Sequence, residues 1–534
     1  MSTGTGDPLG RLRELLSGER STGLTLLAGA IAAAVASPLV WVLASAFEAR
    51  GELGLLARPA TIEVLVNSTL LVAAVTGLSI LLGVPLAYLT VRTDLPARRA
   101  LSVLLAMPLV VPSYIGAFAF VSALGPRGIL QSLLGVQSIP SLYGFAGTTL
   151  VLTLYTYPYV FITTRASLKT LDTRLVDAAR TLGHGRWAAF RRVTVPQIKP
   201  AVAAGALLVA LYTLSDFGTP QIMRFDVFTR VIFVRFNSFS SDLAALLSLQ
   251  LVAVTVVILA VESKVRGSGV RSEHPGGQQS RLRLGKWRIP ALAGAMVVPV
   301  LALAVPLAIL GLWLAAAGPG RGGVGFSVGA ALNSVGVAGA AALAAALCAL
   351  PLAYLAARDG SPLARLFERA AYVGYAVPGV VMGLALVFAG ARYGGVLYRQ
   401  GLLLLPLLVF AYVVRFLPQA IGSARASFLQ VSPRLTEAAR TLGEPPGRAF
   451  RRVTLPLVAP GIVGGAALVF LTTMKELPAT LLLRPSGFET LVTQVWSAQR
   501  SGYYGQAAVP ALALLAVSAV SLFLIVRLEG YDVD

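Results

Sequence analysis

The feature that most constrains this chain is a series of twelve long apolar stretches. Each has close to the length of about 20 residues that a helix needs to cross a bilayer. Continuous apolarity distinguishes them from amphipathic soluble helices, and they lack the alternating polarity of β-barrel strands. We predict an all-α polytopic membrane protein with spans at residues 24–47, 62–89, 100–124, 143–163, 201–217, 243–261, 289–314, 330–355, 370–389, 402–420, 461–483 and 507–526.

Composition agrees with a membrane protein and excludes other classes. Charged residues make up 13% of the 534-residue chain and hydrophobic residues 56%, whereas a soluble protein carries about 25% charged residues. One cysteine, Cys348, excludes a disulfide scaffold. With only His184 and His274 beside it, the chain has too few ligands for a zinc or iron–sulfur site. We therefore expect no metal site of high affinity.

The distribution of positive charge predicts the topology. The net charge is +21, from 44 Lys+Arg and 23 Asp+Glu. The odd-numbered connections and the span ends beside them hold 12 of the 44, which leaves 32 (44 − 12) on the side of the termini. Lys and Arg accumulate in cytoplasmic loops. We therefore expect both termini in the cytoplasm, the bilayer as the partner of this basic chain, no nucleic-acid partner and no cleaved signal peptide.

The strongest internal signal is a duplication of the sequence. Asp177-Ala-Ala-Arg-Thr-Leu-Gly183 recurs as Glu437-Ala-Ala-Arg-Thr-Leu-Gly443. Thirteen of the twenty positions from 177 to 196 are identical to their counterparts. Earlier landmarks repeat at a slightly larger common offset, namely Asn67-Ser68 with Asn333-Ser334, and Pro85-Leu-Ala-Tyr-Leu with Pro351-Leu-Ala-Tyr-Leu.

The duplication divides the chain into two six-span units of the same orientation. We predict an N-terminal cytoplasmic segment at 1–22, a first unit at 23–262, a linker at 263–288, a second unit at 289–527 and a tail at 528–534. Parallel repeats are related by an axis along the membrane normal, so a central path between the units is expected.

The repeated segments, 172–196 and 432–456, are called the coupling loops below. Each is predicted to form two short helices with a break. Asp177 and Glu437 suit the first helical turn, where a carboxylate faces the positive end of the helix dipole. Their alanine pairs give a thin helix face, and the glycines end the helix. Pro196 and Pro456 suit the first turn of the next membrane helix, with Arg191-Arg192 and Arg451-Arg452 before it at headgroup depth.

Both loops resemble the EAA loop of ABC-transporter permeases of the importer class, with Asp177 in place of Glu in the first copy. The resemblance implies the type I ABC importer permease fold, in a prokaryotic inner membrane. It also implies that each short helix is a coupling helix seated in a groove of an ATPase subunit. The implied ATPase-coupling residues are Asp177, Ala178, Ala179, Gly183, Glu437, Ala438, Ala439 and Gly443, supported by Arg180, Arg191, Arg192, Pro196, Arg440, Arg451, Arg452 and Pro456.

ATP is expected to be bound and hydrolysed by separate partner subunits, not by this chain. The Gly285-Lys286 pair lacks the upstream glycine of a phosphate-binding loop. The chain is therefore expected to be a transport subunit without enzyme activity or cofactor. Two coupling helices imply two ATPase subunits, a homodimer that binds ATP and Mg.

Two carboxylates within predicted spans are candidates for the translocation path, because intramembrane charges are costly. Asp216 and Glu476 are separated in the sequence by the same number of residues as the two coupling loops. They lie next to Gly218 and Pro478, which are expected to break their helices. Candidate neighbours on the path are Phe217, Leu477, Tyr155, Tyr157 and Tyr212. The alternative is a structural carboxylate, capped by backbone or paired with Lys475. Arg415 is expected to snorkel or to pair helices.

The segments around these carboxylates carry a second resemblance. Met474-Lys-Glu-Leu-Pro-Ala-Thr-Leu-Leu-Leu-Arg-Pro485 and Asp216-Phe-Gly-Thr-Pro220 are similar to the ferric-iron permease family, in which two permease domains are fused. This resemblance implies ferric iron delivered by an extracytoplasmic binding protein. Related fused permeases for thiamine or aminophosphonates remain alternatives. Rivals from other classes are a twelve-helix ion-coupled secondary transporter and a membrane enzyme.

Overall fold

The computed structural model describes residues 22–125, 142–238, 240–265, 282–316 and 326–528, and these residues are almost entirely helical. In chain order the first unit has α1 Thr22–Glu48, α2 Pro59–Arg92, α3 Arg98–Ala106, α4 Ser113–Leu124, α5 Phe145–Thr170, α6 Thr173–Thr181, α7 Arg186–Ala189, α8 Val195–Ser215, α9 Gly218–Ile222, α10 Phe228–Asn237 and α11 Ser241–Val265.

The second unit repeats this order. Its helices are α12 Arg288–Pro299, α13 Val305–Ala316, α14 Val328–Arg358, α15 Pro362–Ala376, α16 Gly379–Tyr393, α17 Gly395–Arg399, α18 Leu404–Gln430, α19 Pro433–Thr441, α20 Pro446–Ala449, α21 Leu455–Met474, α22 Pro478–Leu483, α23 Leu491–Arg500 and α24 Tyr504–Leu528. The chain is an all-α polytopic membrane protein.

Ten helices among the described residues are long and apolar enough to cross a membrane. The third and ninth predicted spans are instead bent pairs, with angles of 88° between α3 and α4 and 98° between α15 and α16. The two predicted spans are present, and each contains a bend. Pro112 and Pro378 hold the preceding Val111 and Val377 in extended conformations, with ψ of 123° and 118°, because the proline ring disfavours a helical residue before it.

The first helix of each unit packs on the other unit. Ala28, Val35 and Val42 of α1 belong to the buried cluster built mainly from α14, α16 and α18. Ala295 and Ala302 of the seventh span belong to the cluster built from α4, α5 and α24. Each bundle is therefore completed by a helix from its neighbour.

The end of the linker is docked on the first unit. Leu282 forms a parallel bridge with Thr93, and Asp94 accepts hydrogen bonds from Leu284 N at 2.9 Å and Arg288 Nη2 at 2.7 Å. The Leu284 amide, followed by the Arg288 guanidinium, lowers the pKa of the Asp94 carboxyl below its usual 3.8. The predicted linker residues 266–281 lie outside the described residues.

Candidate translocation gate and coupling loops

Each coupling loop begins with a nine-residue helix, α6 or α19. Asp172 caps α6 by accepting a hydrogen bond from Arg174 N at 2.9 Å. In the second copy Pro433 is the first helical residue. Asp177 and Glu437 are thus the fifth residues of their helices, and the expectation that they lie in the first turn is wrong. The helices begin earlier because Asp172 and Pro433 already provide good starts.

Both coupling helices end in the same glycine turn. Gly183 has φ +86° and Gly443 φ +91°. Gly183 N donates to Arg180 O at 3.1 Å, and the next amide donates to Ala179 O at 3.1 Å. The second copy has the same two bonds, and this pattern defines the Schellman motif. The prediction that these glycines end the helices is confirmed.

The paired alanines differ in exposure. Ala178 and Ala438 are exposed, whereas Ala179 and Ala439 are buried in their own loops. Only one alanine of each pair is therefore open to a partner, contrary to the expectation of a two-alanine face. The side chains of Asp177, Glu437, Arg180 and Arg440 are exposed as well.

The most exposed apolar side chains of the loops were missed in the sequence. Leu182 is 79% exposed and Leu442 86% exposed, both directly before the glycine turn, and Trp187 is 73% exposed. The available signal was a leucine that both copies of the repeat place directly before the glycine. Leu182 in the first loop and Leu442 in the second each form a small apolar projection, which is called the apolar knob of its loop below.

The prolines lie in the first turn of α8 and α21, although the helical path does not break before them. One continuous helix runs through Arg186–Ser215, and another through Pro446–Met474. A π-helical turn, Phe190–Thr194 or Phe450–Thr454, precedes each proline. Pro196 and Pro456 have no N–H for the normal ladder, and the wider turn accommodates them within the helix. Pro196 and Pro456 are the second residues of α8 and α21, so the predicted position in the first turn of the membrane helix is confirmed.

The arginine pairs before these prolines are exposed. Arg192 Nη1 lies 3.3 Å from His184 Nε2. In the second copy, Arg452 Nη1 donates to Glu444 Oε1 at 2.5 Å. Each contact joins the residue after the glycine turn to the π turn at the start of the long helix.

At the other end of these long helices lie two breaks, as predicted. α8 ends at Ser215 and α9 begins at Gly218, while α21 ends at Met474 and α22 begins at Pro478. Asp216 Oδ1 accepts from Thr219 N at 2.9 Å, and Glu476 Oε1 accepts from Ala479 N at 3.3 Å. Each carboxylate thus caps the short helix after its break.

The first-unit carboxylate is surrounded by hydroxyl groups. Ser113 Oγ donates to Asp216 Oδ2 and lies 3.2 Å from Tyr212 Oη. Tyr114 Oη is buried without a hydrogen-bond partner among the described residues, and Tyr114 lines the same cavity as Tyr212 and Asp216. Ser113 and Tyr114 were missed in the sequence, where they read as part of an apolar span.

The second-unit carboxylate is held by an ion pair. Arg415 Nη1 donates to Glu476 Oε1 at 2.7 Å, with side chains only 15% and 7% exposed. Of the two roles expected for Arg415, the structure shows helix pairing, since Arg415 joins α18 to the break after α21. Lys475 is not the partner of Glu476, because its Nζ donates to Leu109 O of the first unit at 2.8 Å.

A cavity of about 160 Å³ joins the two breaks, and both units line it. Asp216, Phe217, Glu476, Leu477, Tyr155 and Tyr212 are all among its lining residues. The structure therefore brings the predicted path residues together. The lining also includes Ser113, Tyr114, Arg415 and Lys475.

Two of the candidate tyrosines have structural partners. Tyr155 Oη donates to Ala302 O at 2.9 Å, across the boundary between the units. Tyr157 Oη donates to Leu105 O at 2.6 Å, and Tyr157 is not among the residues that line the cavity. Within the described part of the chain, no three His, Cys, Asp or Glu residues form a metal-binding group.

The duplication of the chain agrees with comparisons to known proteins. Residues 76–263 and 349–530 each match the family described as the binding-protein-dependent transport system inner membrane component. The chain belongs to this family. It is accordingly a multi-pass inner-membrane permease with two fused permease domains, and a transport subunit of an ABC importer.

Two ferric transport permeases resemble this permease over most of its length, and a molybdenum permease resembles part of it. It is 33% identical over 513 residues to the Fe(3+)-transport system permease protein FbpB 2 of Haemophilus influenzae, covering 94% of this chain and 97% of the relative. It is 24% identical to the ferric transport system permease protein FbpB of Actinobacillus pleuropneumoniae, over 86% of this chain and 70% of the relative. The molybdenum transport system permease protein ModB of Escherichia coli is 30% identical over 28% of this chain and 69% of its own length.

Proposed function

We propose that this permease forms the path of an ATP-driven importer for ferric iron, which an extracytoplasmic binding protein delivers. The observation that carries the proposal is the cavity between the units, where two matched helix breaks present Asp216 and Glu476. The relatives that match nearly the whole chain and are named for ferric transport support iron as the substrate.

Asp216 is the carboxylate suited to meet the cation. Glu476 is neutralised by Arg415, whereas the partners of Asp216 are the Ser113 hydroxyl and a backbone amide. Tyr212 and Tyr114 add phenol groups to the lining of the same cavity. Carboxylate and hydroxyl oxygens are hard donors that suit a hard cation. The path therefore offers a transient oxygen-lined contact.

The coupling loops are the sites at which the ATPase acts. Leu182 and Leu442 project apolar side chains from helix ends that are rigidly closed by glycine turns. Two such knobs suit two grooves, one on each of two identical ATPase subunits that bind ATP and Mg. In this proposal both loops and both termini face the cytoplasm, and ATPase closure moves the two units through their loops.

Uptake into proteoliposomes tests the substrate. The permease, its ATPase and its binding protein are reconstituted together, and ATP-dependent entry of labelled ferric iron is measured in competition with molybdate, thiamine and an aminophosphonate. Only excess ferric iron should reduce the uptake of label. Uptake driven by a proton or sodium gradient without ATP would instead establish a secondary transporter.

A variant pair tests the gate. D216N should reduce iron uptake while the ATPase still co-purifies with the permease. D242N is the matched control, because Asp242 is an exposed carboxylate in the first turn of α11. Equal uptake by D216N and D242N would show that Asp216 is only structural.

A further inference from the structure

The second span of each unit contacts both its coupling loop and the segment that follows its gate. These spans are α2 and α14, and they carry the two short motifs, Asn-Ser and Pro-Leu-Ala-Tyr-Leu, that repeat at one common offset. The structure shows that their side chains make equivalent contacts in the two units.

At the loop end, an arginine closes each span. Arg92 Nη2 donates to Leu168 O at 3.0 Å and to Leu171 O at 3.4 Å. Arg358 Nη2 donates to Val431 O at 2.7 Å. These carbonyls lie just before the coupling helices, so each arginine holds the start of its coupling loop.

One turn earlier, a tyrosine holds the far side of the same loop. The rings of Tyr88 and Phe190 meet edge to face with centroids 5.2 Å apart. Tyr354 and Phe450 make the same contact at 5.8 Å. Phe190 and Phe450 begin the π turns behind the coupling helices. The second span therefore grips its coupling loop on both sides.

At the gate end, an Asn-Ser pair holds the segment after the break. Asn67 Nδ2 donates to Asp226 O at 3.1 Å, and Ser68 Oγ accepts from Phe228 N at 3.0 Å. Both bonds cross from α2 to the start of α10, so this end of the span is fixed to the gate segment.

The second unit repeats both bonds. Asn333 Nδ2 donates to Glu489 O at 3.0 Å, and Ser334 Oγ accepts from Leu491 N at 2.8 Å. Ser68 and Ser334 are buried. If either hydroxyl were removed, the backbone amide that donates to it would have no water molecule as an alternative acceptor.

The spacing of the two grips is identical in the two units. The number of positions from Asn67 to Arg92 equals the number from Asn333 to Arg358. With a helical rise of about 1.5 Å per residue, each helix carries its two grips about 37 Å apart. A helix whose two ends are fixed to two different loops moves them together.

We propose that α2 and α14 are transmission rods that carry the displacement of each coupling loop to the gate segment of the same unit. Arg92, Tyr88, Asn67 and Ser68, with their counterparts in α14, are the positioning residues. This inference rests on the proposed ATP-driven function. A purely structural role predicts lower stability with unchanged coupling, whereas a rod predicts ATP hydrolysis without transport.

A double-mutant cycle in the reconstituted transporter tests the rods, because coupling must be measured and not read from proximity. S68A and R92Q should each lower the iron transported per ATP hydrolysed by about two- to thirtyfold. S68A/R92Q should be no worse than the poorer single variant, since one rod can be disconnected only once. S68A/R358Q disconnects both rods, and its losses should multiply.

The matched control is T69A. Thr69 Oγ1 donates to Leu65 O within its own helix, at 2.8 Å, so its removal should leave transport per ATP unchanged. Should R92Q fail to fold, Y88L takes its place, because Tyr88 makes the second contact with the same loop. Losses in S68A/R92Q that multiply as in S68A/R358Q, or a T69A variant as defective as S68A, would overturn the inference.

A distance measurement separates this inference from the choice of substrate. In a C348S background, spin labels at N237C and S486C, both exposed beyond the breaks, report the separation of the gate segments. The wild-type distance should change with ATP, and R92Q/R358Q should abolish that change while hydrolysis continues. An ATP-driven distance change without ferric iron uptake would refute iron only. A persistent change in R92Q/R358Q would refute the rods.

Discussion

Ser113 and Gly379 occupy equivalent positions in the two units, at the offset that also relates Ser68 to Ser334, and they stand beside carboxylates that have different partners. Ser113 donates to Asp216. A Cβ atom at Gly379 would overlap both Arg415 Nη1 and Glu476 Oε1. The ion pair thus fills the space that the serine occupies in the other unit. The two sides of the gate are equivalent in backbone and unequal in chemistry.

Removal of Arg415 should be more damaging than removal of the whole ion pair. R415A leaves Glu476 buried and unpaired, which costs about 3–5 kcal/mol. R415M/E476L replaces both charges with apolar groups and should recover much of the stability. Thermal unfolding of the purified permease in detergent provides the measurement. Equal melting temperatures for R415A and R415M/E476L would contradict the buried-pair description.

Substitution of the glycine in either coupling loop should uncouple hydrolysis from transport. G183V forces a β-branched residue to φ +86°, which costs about 1–2 kcal/mol and distorts the end of the coupling helix. G185A is the control, because Gly185 has φ −58° and open space around its Cβ position. Iron uptake per ATP should fall in G183V and stay normal in G185A. Normal uptake in both variants would remove the turn from the coupling mechanism.

Loss of the exposed leucines should weaken ATPase binding while the permease remains folded. L182S/L442S removes the apolar knob from both loops. L429S is the comparison, since Leu429 is 61% exposed at the end of α18, outside the coupling loops. Affinity for the ATPase, measured on immobilised permease, should drop by about tenfold or more in L182S/L442S, as for truncated apolar interface anchors. An unchanged affinity would place the docking surface elsewhere.

Asp94 should control the docking of the linker end. Its folded pKa is lowered, so its contribution to stability is complete above the usual value of 3.8 and is lost as pH falls through the lower folded pKa. At neutral pH the clamp is therefore fully formed, and D94N should weaken it. Trypsin should then cleave after Arg283 faster in D94N than in wild type. The same rate in both proteins would show that Asp94 does not hold this segment.

The sequence by itself determined the membrane class and the duplication. Span length and apolarity reflect a local requirement, because every backbone group must be satisfied inside lipid. The glycine turns at Gly183 and Gly443 and the breaks beside Gly218 and Pro478 were also readable, since glycine and proline restrict the backbone locally.

Only the tertiary structure decided the partners of the charged groups. Arg415 is 61 residues from Glu476, and Lys475 is 366 residues from Leu109. No periodicity encodes such pairings, because they depend on how α18, α21 and the first unit pack. The burial of Ala179 and the exposure of Leu182 follow from the same cause. The asparagine, serine and tyrosine contact residues of α2 and α14 lie in the repeated Asn-Ser and Pro-Leu-Ala-Tyr-Leu motifs of the sequence. Only the packing of these helices shows which segments those residues contact.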